Sequence, residues 1–408
     1  MYFFYFSVMK NAVYSLLFLL VTVFGYTQDK PLLPTGVIID SVKVAAAPTE
    51  SYAIYFPKKY DGKTPLAVVF IFEPAARGRE GIAPFIPAAE TYQYILVCSN
   101  TLKNGSTQNN IGIANRLFDA VLENYTIDTS QLYIAGFSGG ARLASYFGIS
   151  TGVFQGVIAC GASFNDMDKF IPPSNNFSYV GMVGDRDMNY LEMTENKTWL
   201  DNAKIVNTLF IAHYEHAWPK PSQMLRAFDW LELQAYRKNI RPKNDTVLKR
   251  IYDSNMRIAD SLKANNEMIL SVNAYERGIT FLNTTDDNFI RAKISEIKKS
   301  KPYKEETAKT EKIKVLENEI LDKLWHRFDQ ELKSAKPVTN FKFWKSEIND
   351  LNVMKADDNN PLTQNMAVRI LNWFQVSVYE TGQEYKRNQQ NDKFAYCQEL
   401  YKMITETN

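Results

Sequence analysis

The segment YIAGFSGGARLASYFG, residues 133–148, sets Ser138 among Gly136, Gly139 and Gly140. A serine hydroxyl is a weak nucleophile until a base takes its proton, and the base needs an acid to fix its tautomer. The chain holds three histidines, so the search for the base is short. His216 lies in LFIAHYEHAWPK, on the loop beyond an apolar run. His213 closes that run and reads as a strand-end residue lining the site. His326, in DKLWHRFDQ, falls in a helical pattern far from any strand end and reads as a surface or core residue. The acid is sought between serine and histidine. VGMVGDRDMNY offers Asp187, with G-x-x-D spacing from Gly184, and Asp185 as the alternative. The spacing favours Asp187 because it carries the side chain past the strand end towards the histidine loop. The aspartate left over would cap the turn or the helix that begins near Tyr190.

Such a serine works only in a particular setting. It must stand in a strained turn between a strand and a helix, with small residues two before and two after, where the two backbones pass closely. Gly136 and Gly140 fit that need, and Gly139 leaves the backbone N–H after the serine accessible to a developing oxyanion. The strand–turn–helix reading follows from the flanking pattern. From Ser51 to about Lys238, apolar runs bounded by Gly, Pro or Asn read as buried strands: 67–72, 94–99, 132–137, 156–161, 179–183 and 208–213. Helical spacing fills the gaps, as in NNIGIANRLFDAVLENY and in ARLASYF after Ser138. This alternation predicts a parallel sheet covered by helices on both faces, with SYAIYFP as an antiparallel edge strand. A second oxyanion donor should come from FEPAARGREG, the loop after the first of these runs. Pro74 has no N–H, so Ala75 is the expected donor and Glu73 the less favoured one. Arg77 or Arg79 would orient this loop, meet an acidic substrate group, or belong to an ordinary surface turn.

Past Arg241 the strand signal stops. Ile251, Met256, Ile258 and Leu262 share one helical stripe, and Ile313, Leu316, Ile320 and Leu324 another. KKSKPYKEETAKTEKIK, 298–314, reads as a solvated hinge between helices. The helical pairs carry no tetratricopeptide consensus spacing. At the other end, Lys10 precedes an apolar run from Ala12 to Phe24 that is short for a membrane span and fits a signal-peptide core, with Met9 as initiator and cleavage after Thr27. The expected division is a signal peptide at 1–27, a catalytic domain at 28–240 and a helical accessory domain at 241–408. A hydrophobic content of 45%, a charged content of 23% and a net charge of +2 describe a chain able to bury a core and point to no nucleic-acid partner. Cys98 and Cys160 sit in strand-like runs and are expected as buried free thiols. No CxxC or His/Cys cluster suggests a metal, and no cofactor is expected.

Together YIAGFSGGARLA, FEPAARG, GDRDMNY and HAWP resemble the α/β-hydrolase superfamily, in which the triad follows the order Ser, Asp, His. Within it they look most like secreted bacterial esterases of the polyhydroxybutyrate-depolymerase and feruloyl-esterase type. The resemblance covers roughly 50–240 and implies Ser138 as nucleophile, Asp187 as acid and His216 as base. Glu73-Pro74 departs from the His-Gly that many relatives carry at the oxyanion loop. ASFNDMDKFIPPSNNF, where such enzymes often insert a lid, is short and implies an open cleft; Tyr190, Trp218 and Phe164 are expected around it. The expectation is an exported serine hydrolase acting on a carboxylic ester, small or attached to a polymer. The alternatives are a serine peptidase on the same fold and a non-catalytic binding protein. The helical tail would bind a protein partner, form one wall of the cleft, or stabilise the first domain.

Overall fold

In the computed structural model the described residues are 34–164, 174–279, 285–334 and 339–406. The expected signal peptide and residues 165–173 of the short segment expected to leave the cleft open lie outside them. Eight strands among the described residues form one sheet in the order β1-β2-β4-β3-β5-β6-β7-β8. They are β1 (Ile38–Val44), β2 (Ala47–Tyr55), β3 (Leu66–Phe72), β4 (Tyr94–Ser99), β5 (Ile127–Phe137), β6 (Gly156–Cys160), β7 (Ser178–Gly184) and β8 (Val206–Ala212). From β4 to β8 all neighbours pair in parallel; β2 runs antiparallel to β4 and to β1. This is the mostly parallel sheet that the apolar runs predict. Strands β4, β6 and β7 are buried along their whole length, which is why they read as unbroken apolar runs rather than alternating ones. SYAIYFP is antiparallel as expected but is not the edge, because β1 pairs outside it. IIDSVKV escapes notice because only its last residue is buried.

Helices cover both faces. On one side lie α1 (Gly78–Ile82), α2 (Ile86–Tyr92) and α6 (Pro221–Arg237); Phe85, Ala88, Met224 and Phe228 pack on Leu96, Tyr133 and Val180. On the other lie α3 (Thr107–Asn124), α4 (Gly139–Thr151) and α5 (Tyr190–Asn202). There Phe118 meets Phe70 edge-on at 4.7 Å and Phe147 at 5.2 Å. Cys98, Cys160 and Cys397 are buried free thiols.

From Asp245 onward the described residues form helices: α7 (Asp245–Ala264), α8 (Met268–Ile279), α9 (Thr285–Lys299), α10 (Lys301–Lys333), α11 (Lys342–Lys355), α12 (Pro361–Arg387) and α13 (Asn391–Glu406). α7–α9 close one small core around Tyr275, and α10–α13 close another around Trp344, Phe328 and Phe374. The expected hinge at 298–314 is instead a single break at Ser300. Its hydroxyl accepts from Tyr303 N–H, Pro302 occupies the first turn, and the helix then runs 33 residues. Proline is tolerated there because first-turn N–H groups have no intrahelical acceptor. The charged residues that suggested a hinge are good helix formers on a solvated face. Of the second stripe, Leu324 is buried whereas Leu316 is 37% exposed. The described residues from Thr35 onward form one compact unit.

Candidate functional site

Ser138 sits between β5 and α4 with φ 52° and ψ −124°, a conformation that a non-glycine residue adopts only under constraint. The constraint is visible on both sides. Ser138 N–H donates to Cys160 O at 2.9 Å. A Cβ on Gly136 would come within 2.7 Å of Ala141 N, and one on Gly140 within 2.7 Å of the Phe72 carbonyl carbon. Both glycines are therefore required by contact between strand and helix backbones.

His216 Nε2 lies 2.9 Å from Ser138 Oγ. On the far side of the ring, Nδ1 lies 2.9 and 3.0 Å from the two oxygens of Asp187. Asp187 is fully buried and also accepts Asn189 N–H at 2.9 Å, so its charge is held among donors. Two glycines make room for this pair. A Cβ on Gly161, at φ 64°, would stand 3.0 Å from Asp187 Oδ2 and 3.1 Å from His216 Cε1. One on Gly184 would stand 2.6 Å from the Tyr214 carbonyl carbon, so Gly184 lets the histidine loop lie against the end of β7. Phe137 stacks obliquely on the imidazole at 4.6 Å.

Asp185 faces elsewhere. Its Oδ2 lies 2.7 Å from His213 Nδ1 and accepts Asn365 Nδ2 at 3.0 Å. His213 Nε2 reaches Glu267 Oε2 at 3.1 Å. His213 is thus an exposed link to the helical region rather than a lining residue. Its hydrogen bond to Asp185 raises its pKa above the ordinary imidazole value, with the charges of Asp185 and Glu267 adding to the rise. Asp185 does not cap the turn; the aspartate accepting a local N–H there is Asp187. His326 is exposed on α10.

Gly139 is the first residue of α4, so its N–H has no intrahelical acceptor and points out of a helix N-terminus. Ala75 differs from expectation. Its N–H donates to Glu73 Oε2 at 2.8 Å, and Arg77 N–H donates to the same oxygen at 3.0 Å. The physical reason is the burial of Glu73, 1% exposed: a buried carboxylate collects the nearest donors. Arg77 Nε completes the set at 3.1 Å, so Arg77 orients the loop. Arg79 makes only a long surface pair with Asp40 at 3.9 Å.

Ser138 and Gly139 open into a cleft of about 480 Å³. Lys103 and Asn104 from the loop after β4, Tyr146 from α4, Phe164 and Asn189 form one part of its lining. Another part comes from the helical region: Trp373, Val376, Ser377 and Glu380, which fall on one stripe of α12. The same helix grips the acid loop. Arg369 Nη1 donates to Asp185 O at 2.6 Å, its guanidinium covers the Tyr190 ring at 4.6 Å, and its Nε donates to Glu317 Oε1 at 2.8 Å. Arg369 and Glu317 are both nearly fully buried, and burial pushes the Glu317 carboxyl upward. Of the aromatics expected around the cleft, Phe164 is there. Tyr190 lies under Arg369, and Trp218 packs on Phe137 and Phe85 at 5.3 and 5.7 Å. Sequence reasoning missed Asn104, Asn189, Gly161 and the α12 stripe. Only Asn189, two residues beyond Asp187, carried a local signal.

No protein-family model and no curated protein matches the sequence. Solved structures similar to the chain include an S-formylglutathione hydrolase from Staphylococcus aureus, at 14% identity and a TM-score of 0.40 over 49% of this chain and 98% of that one. A ferulic acid esterase matches at 14% identity and 0.41 over 48% and 97%. An esterase from the archaeon Pyrobaculum calidifontis matches at 11% identity and 0.41 over 50% and 87%.

Proposed function

We propose that the protein is a serine hydrolase that cleaves carboxylic esters through an acyl-enzyme. The observation that carries this reading is the continuous relay from Ser138 Oγ through both nitrogens of His216 to Asp187, at 2.9 Å and 2.9–3.0 Å, beside a cleft. Ser138 Oγ attacks the ester carbonyl carbon while His216 Nε2 takes its proton. The carbonyl oxygen becomes an oxyanion facing the Gly139 N–H, where the start of α4 favours negative charge. Asp187 holds the imidazole tautomer and stabilises the imidazolium. Collapse of the tetrahedral adduct breaks the C–O bond, and the alcohol leaves with the proton from His216. Water, deprotonated by His216, then attacks the acyl carbon and frees Ser138.

The mixed lining supports a small or polymer-attached ester with a polar alcohol part. Trp373 and Tyr146 offer apolar faces, while Asn104, Asn189, Ser377 and Glu380 offer hydrogen-bonding groups. Export belongs to the same reading and rests on the apolar run from Ala12 to Phe24; N-terminal sequencing of the protein recovered outside the cytoplasm tests it. The activity is tested by fluorophosphonate labelling of purified protein, with peptide mapping, beside Ser138→Ala and His216→Ala. Labelling at Ser138 that is lost in both variants is expected. Folded parent protein that takes no label would end the hydrolase reading.

A further inference from the structure

Gly139 offers one donor to an oxyanion, and the loop after β3 would ordinarily be asked for another. Here the N–H groups from Ala75 to Arg77 are engaged. Ala75 and Arg77 donate to the Glu73 carboxylate, Ala76 N–H donates to Glu73 O at 3.1 Å, and Pro74 has no N–H. A different polar group stands beside the nucleophile. A Cβ built on Gly139 would overlap Asn104 Oδ1 and lie 2.8 Å from Asn104 Cγ and 3.3 Å from Nδ2. Its three nearest neighbours all belong to that one carboxamide. Asn104 lines the same cleft as Ser138 and Gly139.

The carboxamide is also held in place through its backbone. Asn104 N–H donates to Pro74 O at 2.8 Å, Lys103 forms a β-bridge with Ala75, and Lys103 O accepts Asn110 Nδ2 at 2.9 Å. The loop that should supply a backbone donor thus anchors a side-chain donor. We propose that the carboxamide NH2 of Asn104 is the second oxyanion donor. This rests on the serine-hydrolase reading and adds a catalytic residue to it. A half-turn about the Cβ–Cγ bond brings the NH2 end beside Gly139, since the two ends of a carboxamide are nearly equal in shape. The donor then meets the oxygen as it acquires charge, so its effect falls on the chemical step rather than on binding.

The test compares the parent protein with Asn104→Ala and Asn104→Asp. The second-order rate constant of fluorophosphonate labelling at Ser138 is measured, with kcat and KM for 4-nitrophenyl acetate. Loss of one such donor is expected to slow labelling and kcat by about 100-fold, with KM little changed. Asn104→Asp keeps the shape, removes the donor and adds a negative charge, so it should be at least as slow; it decides the matter if Asn104→Ala folds poorly. A labelling rate in Asn104→Asp equal to the parent's would overturn the proposal. So would a loss confined to KM. A parent that takes no label at all would instead remove the hydrolase reading on which the proposal stands.

Discussion

Asp185 and Asp187 stand two residues apart after the same strand, yet they do different work. Asp187 holds the back of His216, whereas Asp185 binds His213 and Asn365. Asp187→Asn is therefore expected to lower kcat by about 10⁴-fold, because the amide can hold the wrong imidazole tautomer. Asp185→Asn should cost far less, and steady-state kinetics on the two variants separates them. Equal losses would contradict the assignment. Gly184→Ala is expected to displace the histidine loop and lower activity, because its Cβ would press on Tyr214; a crystal structure of the variant with His216 unmoved would refute this. The convergence of Ser138, His216 and Asp187 was legible because a serine–base–acid relay would restrict residue type and chain order. Ala75 was misread because a glutamate that folds back onto the next N–H groups leaves no mark in residue spacing.

The central strands were legible because each is a run with both faces buried. Strand β1 was not, since its residues are half-exposed, and the charged run at 298–314 read as a hinge where a long helix starts. The wall built by α12 could not be read either. In MAVRILNWFQVSVYE, the residues that face the cleft are interleaved with those that fill the tail core, and only the packing of neighbouring helices tells them apart. Arg369 is the joint of this element. Arg369→Ala leaves Glu317 buried without its partner and is expected to cost about 3–5 kcal/mol in stability, read by urea unfolding. A change well below that would mean that Glu317 finds water or another donor. Trp373→Ala is expected to change the ratio of kcat/KM between a bulky-alcohol ester and an acetate, a ratio that stays fixed if the tail is no part of the substrate site.

The molecule as a whole is tied together by charged links between its sheet and its tail. His213, between Asp185 and Glu267, is a link whose charge changes with pH. Its pKa is raised in the folded state, so its stabilising effect is present in full below the ordinary imidazole value near 6.5 and fades as pH rises through the raised one. The difference in melting temperature between the parent and His213→Gln should therefore be largest below the ordinary imidazole value and shrink as pH rises through the raised one; a difference that grows with pH would contradict this. The grip of α12 on the acid loop also has a consequence in time. A ribosome makes Ser138, Asp187 and His216 well before it makes Arg369 and Trp373. A growing chain can have all three residues and still lack the grip on the loop carrying Asp187 and one side of the cleft. If the proposed esterase activity holds, full competence would then arrive only once α12 is made, so that unfinished chains would spare the esters around them.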